Sequence, residues 1–570
     1  MHQSRMGCPK ALTESSCLAG APVGAALAGV AKPARRRATR DKRATVFMRG
    51  TPDSGEVIKA IHPTILAVCD NCVSSAPQLI RCSTKGVGTE LVSALPVACA
   101  GHAQVASSAS RYPVTMTQTG ETASRPFIPV ADGGGRVDSE TGALREVIVH
   151  RPGGEIARLT PINADSLLFD DALNIPRAQA EHDAFTAILR SEGVVVHDFR
   201  ELFTEVLAVP EARDLVLDEA VGPDVVGVSA SELLIDYFQS LPDAELAEVL
   251  LAGITRAELR ERLSQADGRD LFSSTYLSTL EGQFVVTPLP NLLFTRDTSA
   301  WLYGGVSVNS MALEPRRREA VGYEAVYRYH PAFAPRLAEL GDAAVDGASG
   351  AAAPATRLWR EQGRVSAAST IEGGDFQILG NRTLVMGLTH RSTAAGVERL
   401  ASQLFEAEVA DRVIGVHMPD AAFYTQLEAV MHLDTLMTKV SPDTYLRFPG
   451  FTEVTTVEIE PGPAGRALKV TVHDGSEMDA VLARAAGIDS FRVISPGASD
   501  EAEALRELAR DSCNVVALAP GRVIGYAHNQ CANDALRKAG IEVVETPGVE
   551  LVRGRGGSHC MTCPVTRDAV

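Results

Sequence analysis

The 570-residue chain carries 54 Lys and Arg against 71 Asp and Glu, a net charge of −17, with 45% hydrophobic and 22% charged residues. These are ordinary values for a globular protein. The acidic sum excludes a general nucleic-acid binder, which needs a basic footprint, and no run of 18 apolar residues is present to span a bilayer. The length allows about four domains or one large α/β unit, either able to bury a core without disulfides.

The average hides a split. Residues 1–115 hold fourteen Lys and Arg, among them Arg35, Arg36, Arg37, Arg40, Lys42 and Arg43, and only six Asp and Glu. That segment is +8, leaving −25 for the remainder. It contains six of the ten cysteines, is rich in Ala, Ser, Gly and Thr, and shows no sustained periodicity, so residues 1–125 are expected to form a disordered leader. The apolar stretch from Cys17 to Ala31 contains Pro22 and runs into three arginines, a poor fit to a secretory signal. An Arg-rich transit peptide and an over-extended start, with Met116 as the initiator, stay open. Cys69 and Cys72 have redox-pair or half-zinc spacing, but no second pair lies near them in the leader and chance spacing is the better reading.

Beyond the leader, Leu144–His150 reads as a strand closed by the Arg151-Pro-Gly-Gly154 turn. A helix is expected over Arg177–Ser191, with Ala178, His182, Phe185 and Leu189 on one face. Gly193 then leads into a strand at Val194–His197. From 205 to 282 the texture turns helical (Glu211–Ala220, Ser229–Leu241, Asp243–Ala252, Thr255–Gln265), and an all-helical insertion is expected. The Ala- and Gly-rich stretch 341–356 reads as a surface loop. The helix–Gly–strand unit returns twice, at Val481–Gly487 into Phe491–Ile494 and at Ala535–Gly540 into Ile541–Val544, the latter preceded by strand Arg522–Tyr526. Such repetition predicts a repeated α/β architecture, as one open sheet or as a ring.

Four places carry residues suited to chemistry. Pro288–Asp297 is a Pro-rich apolar loop ending in Arg296-Asp297, a held carboxylate or an ordinary surface pair. Glu372-Gly-Gly-Asp375 lets two carboxylates converge around a flexible turn. It could be a hairpin, a Ca²⁺ ligand set or a glycosidic acid pair. His432-Leu-Asp434 places an imidazole and a carboxylate on one side of an extended segment, as acid/base groups, metal ligands or a structural pair. The last is Arg553-Gly-Arg555-Gly-Gly-Ser-His559-Cys560-Met-Thr-Cys563. Its glycines fail as a dinucleotide fingerprint, because too little chain follows Gly556. His559, Cys560 and Cys563 with His432 could bind zinc, the two cysteines could form a redox pair, or Cys560 could be a nucleophile. Arg555 and His432 are expected to lower its pKa.

Together, Leu144–Gly153, Leu293–Asp297, Glu372–Asp375, His432–Thr435 and Arg553–Pro564 resemble, in order and spacing, the arginine deiminase family of the guanidine-modifying (pentein) superfamily, over about residues 133–570. The resemblance implies a five-fold pseudosymmetric α/β-propeller of ββαβ-type modules over 126–204 and 283–570, with 205–282 inserted. It implies hydrolysis of L-arginine to L-citrulline and ammonia, with Cys560 as nucleophile, His432 as acid and base, and Glu372 orienting His432. Asp297 and Asp434 would clamp the guanidinium, while Asn291, Arg316 and Arg391 hold the α-carboxylate end. Phe294 would pack the stem, Arg555 would sit on a mobile gate, and Asp375, counted with these among the substrate-binding residues, would shape the Glu372 turn and the site. No metal or organic cofactor is implied; a cytoplasmic enzyme is, without nucleic-acid or membrane partners and compatible with a homo-oligomer. Alternatives are an amidinotransferase, an agmatine deiminase, a dimethylarginine hydrolase or a non-catalytic arginine binder; Arg316 and Arg391 favour an amino-acid substrate over agmatine. The stretches 341–356 and 451–475 look longer than a compact member needs.

Overall fold

The structure, a computed structural model, describes residues 127–129, 135–266, 282–337, 369–418, 430–463, 465–497 and 500–570. Its contacts divide the chain into Met1–Val114 and Thr115–Val570, and the second unit carries everything below. The expected leader, its Cys69–Cys72 pair and the expected loop at 341–356 lie outside the described residues.

The three helix–Gly–strand units perform the same task. Each carries the chain from the second strand of an antiparallel pair to a third strand lying parallel beside it, a connection that needs a crossover rather than a tight turn. Helix Ile175–Ser191, capped by Asn174, links Leu144–Val149 to the parallel Val195–Asp198. Helix Met478–Ala486 leads to Arg492–Ile494, parallel to Thr444–Arg447. Helix Gln530–Lys538 links Arg522–Tyr526 to the parallel Glu542–Thr546. A fourth unit, around helix Ala394–Glu406, joins Thr383–Leu388 to the parallel Arg412–His417.

The antiparallel partners complete the sheets: Met437–Ser441 on Thr444–Arg447, Val516–Ala519 on Arg522–Tyr526, and Phe376–Gly380 on Thr383–Leu388. The remaining partner, Cys563–Arg567, comes from the far end of the chain and pairs with Leu144–Val149. A fifth sheet departs from the rule. Its hairpin Ser299–Leu302/Gly305–Val308 takes Phe127–Pro129 as an antiparallel third strand. The architecture is therefore mixed α/β, in separate small sheets rather than one open sheet.

The 451–475 region resolves as an added hairpin, Thr456–Pro461 with Leu468–His473, which widens one sheet to five strands. Residues 199–266 are helical almost throughout, and their apolar faces (Phe199, Leu234, Leu250) share one core with Trp301, Tyr323 and Tyr327. The stretch expected to be an all-helical insertion also contains a strand, Ile254–Thr255. Gly253, at φ +73°, ends helix Asp243–Ala252, and the β-branched Ile254–Thr255 pairs with Phe284–Val286. Among the described residues no helix is long and apolar enough to cross a membrane.

Candidate active site

Each of the five sheets has a first hairpin strand, and the residues just before it form the site. Thr295–Thr298 precedes Ser299, Glu372–Asp375 precedes Phe376, His432–Leu436 precedes Met437, Asn514 comes two residues before Val516, and Cys560 three before Cys563. Hydrogen bonds link these segments in a closed circuit. Arg296 N donates to Cys560 O at 3.0 Å, Gly374 N to Asp297 Oδ1 at 3.0 Å and Leu433 N to Asp375 Oδ1 at 2.9 Å. Asn514 Nδ2 donates to Asp434 O at 3.3 Å, and Cys560 N to Asn514 Oδ1 at 3.0 Å. The Gly-Gly turn is required for this closeness. A Cβ on Gly374 would stand 2.6 Å from His432 Nδ1, and one on Gly373 would stand 1.9 Å from Arg296 O.

Within the circuit His432 is 1% exposed. Its Nε2 lies 2.8 Å from Glu372 Oε2 and its Nδ1 3.5 Å from Asp297 Oδ1. Burial opposes its charged form, but the Asp297 charge and the Glu372 hydrogen bond outweigh it and push the imidazole up to about 9. Glu372 also takes Arg391 Nη1 at 3.1 Å and the Ala312 N–H at 2.9 Å. Against its burial, the Arg391 charge and the His432 hydrogen bond hold its carboxyl well below the usual carboxylate range. Cys560 Sγ receives Asn514 Nδ2 at 3.0 Å and donates toward Asp434 Oδ2 at 3.5 Å.

Leu168, Asn291, Phe294, Asp297, Arg316, Arg391, Met431, His432, Gly554, Arg555 and Cys560 line one pocket. Most of the residues singled out in the sequence thus face a common space, with Glu372 and Asp434 one contact behind it through His432 and Cys560. Asp375 is placed differently from the expectation of a substrate contact. It does not line the pocket: its carboxyl takes the Leu433 N–H and the Thr389 hydroxyl, holding the His432 segment, and burial pushes it up to about 7.

The expected separation of carboxylates from arginines is also absent. Arg316 reaches Asp297 and Glu319 with its guanidinium and donates to the carbonyls of Asn291 and Phe294 at 3.1 Å, while Arg391 sits on Glu372. Asn291 turns its amide to Leu167 O at 2.8 Å, and Phe294 stacks on Phe169. Arg555, at φ +67°, donates to Asp170 Oδ1 at 2.6 Å across the pocket's rim.

The expected lowering of the Cys560 pKa is reversed. Burial pushes the thiol well above its ordinary value, and Asp434, Asp297 and Asp511 add to the rise. The physical reason is the company it keeps: carboxylates stand nearest, while Arg555 is engaged with Asp170. The four residues of the zinc alternative diverge as well. His559 Nδ1 binds Asp434 at 2.8 Å, and the Cys563 thiol packs against Ser299 and Tyr327.

Sequence reasoning missed Asn514, Leu168 and Met431. Asn514 had one usable signal, its place just before the first strand of a hairpin, where the other modules carry Asp297, Asp375, Asp434 and Cys560.

Repeated hairpin-and-crossover sheets whose leading turns pool a thiol, an imidazole and carboxylates define an enzyme acting on guanidino C–N bonds once the family is added. A family model described as arginine deiminase matches residues 165–567, and the chain belongs to that family. Among solved structures it is similar to SxtG, an amidinotransferase from Microseira wollei (17% identity over 76% of this chain and 98% of that one, TM-score 0.41). It is also similar to DDAH from Pseudomonas aeruginosa in complex with citrulline (13%, 74% and 99%, 0.37). A third is the N-terminal domain of ArgZ, an arginine dihydrolase from cyanobacteria (12%, 74% and 98%, 0.36). These distant likenesses carry no weight for activity.

Proposed function

We propose that the protein hydrolyses L-arginine to L-citrulline and ammonia, and that its five sheets are the blades of a pseudosymmetric propeller with 205–282 inserted. The observation that carries the reading is the hydrogen-bonded circuit that brings Cys560, His432 and Asp297 to one pocket, with Glu372 and Asp434 in contact with His432 and Cys560 behind it.

In the mechanism that fits this geometry, the substrate guanidinium enters between Asp297 and Asp434. Its charge takes over the neutralisation that Arg316 supplies to Asp297, and the Cys560 proton passes to solvent as the cation arrives. The thiolate then attacks the guanidinium carbon. His432, protonated at neutral pH, gives its proton to the departing nitrogen, which leaves as ammonia, and an S-alkylthiouronium remains on Cys560. Neutral His432 next takes a proton from water. The hydroxide adds to the same carbon, the C–S bond breaks, the added hydroxyl releases its proton to solvent as the new C=O forms, and citrulline leaves with the thiolate restored. Glu372, anionic behind Nε2, stabilises the imidazolium at each stage. Arg316 and Arg391, displaced from the site's own carboxylates, are the cations available to the substrate's carboxylate.

Citrulline and ammonia release from L-arginine tests the reading, with agmatine and dimethylarginine as competitors. Wild type is expected to prefer L-arginine, and Cys560→Ala to lose activity by at least about a thousandfold. An inactive wild type, or a fully active Cys560→Ala, would overturn it.

A further inference from the structure

Behind the thiol lies a second line of buried polar groups that this mechanism does not use. His559 is 4% exposed, with Nδ1 2.8 Å from Asp434 Oδ2 and Nε2 3.5 Å from Glu140 Oε2. Glu140, equally buried, takes Arg296 Nη2 at 2.9 Å and the Ile378 N–H at 3.0 Å on its other oxygen. Arg296 donates onward to Gly373 O at 3.3 Å and Phe376 O at 3.0 Å. One carboxylate therefore touches the segments bearing Asp297, Glu372 and Cys560, yet it stands before residue 165, where the family match begins.

The donor inventory fixes the arrangement. An ionised carboxylate only accepts, so the imidazole donates from Nδ1 to Asp434 at 2.8 Å, with Nε2 turned toward Glu140 at 3.5 Å. Both carboxyls are held below their usual range against burial, Asp434 by the His559 hydrogen bond and Glu140 by the Arg296 charge. On Asp434, Oδ2 is occupied by His559 and approached by the Cys560 thiol. Oδ1 is buried with no hydrogen-bond partner among the described residues.

We propose that Glu140, His559 and Asp434 form a carboxylate–imidazole–carboxylate bridge that holds Asp434 aimed, with Oδ1 left to grip the substrate cation. His559 is a positioning residue acting through Asp434, and Glu140 positions His559. The inference rests on the guanidine reading of the site.

Three variants test it: His559→Asn, whose amide N–H stands near Nδ1 and keeps the Asp434 bond; His559→Gln, which reaches toward Glu140 and leaves Asp434 Oδ2 with the Cys560 thiol alone; and Glu140→Gln. Steady-state kinetics on L-arginine are combined with calorimetric binding of L-arginine in a Cys560→Ser background and with thermal melts. Loss of a charge-assisted hydrogen bond predicts a KM raised about tenfold or more in His559→Gln, with a smaller change in kcat and the same weakening in calorimetry. His559→Asn is expected to recover to within about threefold of wild type, and Glu140→Gln to fall between the two. A bridge that only braces the fold would lower the melting temperature of all three variants, without separating Asn from Gln or moving KM. That result, or unchanged binding in His559→Gln, overturns the proposal. A wild type that neither binds nor turns over L-arginine overturns the underlying function instead.

Discussion

Cys560 and its neighbours raise the question of how a thiol this buried would serve as the proposed nucleophile. With carboxylates as its nearest charges the resting group is held protonated, so a cation must arrive before the proton can leave. Alkylation of Cys560 by iodoacetamide, followed by mass spectrometry, is therefore expected to be slow at pH 7 and to keep rising past about pH 10, where an ordinary thiol with a pKa of about 8.5 has levelled off. A plateau near pH 8 would contradict this.

Two further residues predict how stability depends on pH. Asp375, raised from 3.8 to about 7, binds its proton more tightly folded than unfolded, so its carboxyl costs stability increasingly as pH climbs through that window. Asp375→Asn, which can keep the Leu433 bond and does not titrate, should gain on wild type as pH rises from 4 to 7 in urea titrations; parallel curves would refute the assignment. His432, raised from 6.5 to about 9, contributes stability that is complete below 6.5 and lost as pH rises through 9. The deficit of His432→Gln should accordingly shrink over that range. At this scale the sequence was readable wherever a reactive group sat beside glycine or in a short polar motif, as at Glu372 and Cys560. Glu140, in a run of small polar residues, and Asn514, after Asp511-Ser-Cys, offered no such contrast.

Among the elements, the short turns before each hairpin matter more than the helices, because their backbone groups carry the circuit that sets the distances between side chains. Gly374→Ala puts a methyl against His432 and Asp297. It is expected to cost about 1–3 kcal/mol in denaturant titrations, and to reduce kcat further than that loss of stability explains. Wild-type kcat in this variant would show that the turn has slack the structure does not suggest. Helix–Gly–strand units were legible because their helices keep a 3.6-residue stripe and stop at glycine. Which strand each one rejoins was not legible, because pairing partners are set by packing across the chain rather than by local pattern. The Ile254–Thr255 strand was hidden for a related reason. Two β-branched residues between helices are too short to show alternation, and their pairing with Phe284–Val286 is a tertiary fact.

Over the whole molecule, the strand Cys563–Arg567 completes the sheet begun by Leu144–Val149, and Arg567 reinforces the junction. Its buried guanidinium donates to Gly142 O and Ala517 O at 2.8 Å, while its N–H reaches Arg136 O at 2.9 Å. Arg567→Met is expected to lower stability by about 2–4 kcal/mol, because it leaves the two buried carbonyls that the guanidinium served without a donor while the backbone bond remains, measured by urea unfolding. A chain begun at Met116 retains Phe127–Pro129, Glu140 and every residue of the pocket, and is expected to keep the full enzyme's kcat; loss of folding would show that earlier residues contribute.

The same closure has a consequence for how the protein comes into being. The pairing of Thr566 with Glu146 spans 420 residues, and Cys560 arrives with the last strand of the fold. A ribosome making this chain therefore displays the carboxylates, the imidazole and both arginines long before the thiol emerges. The thiol thus joins the imidazole and carboxylates only as Cys563–Arg567 pairs with Leu144–Val149, so completion of that sheet and assembly of the pocket are one event.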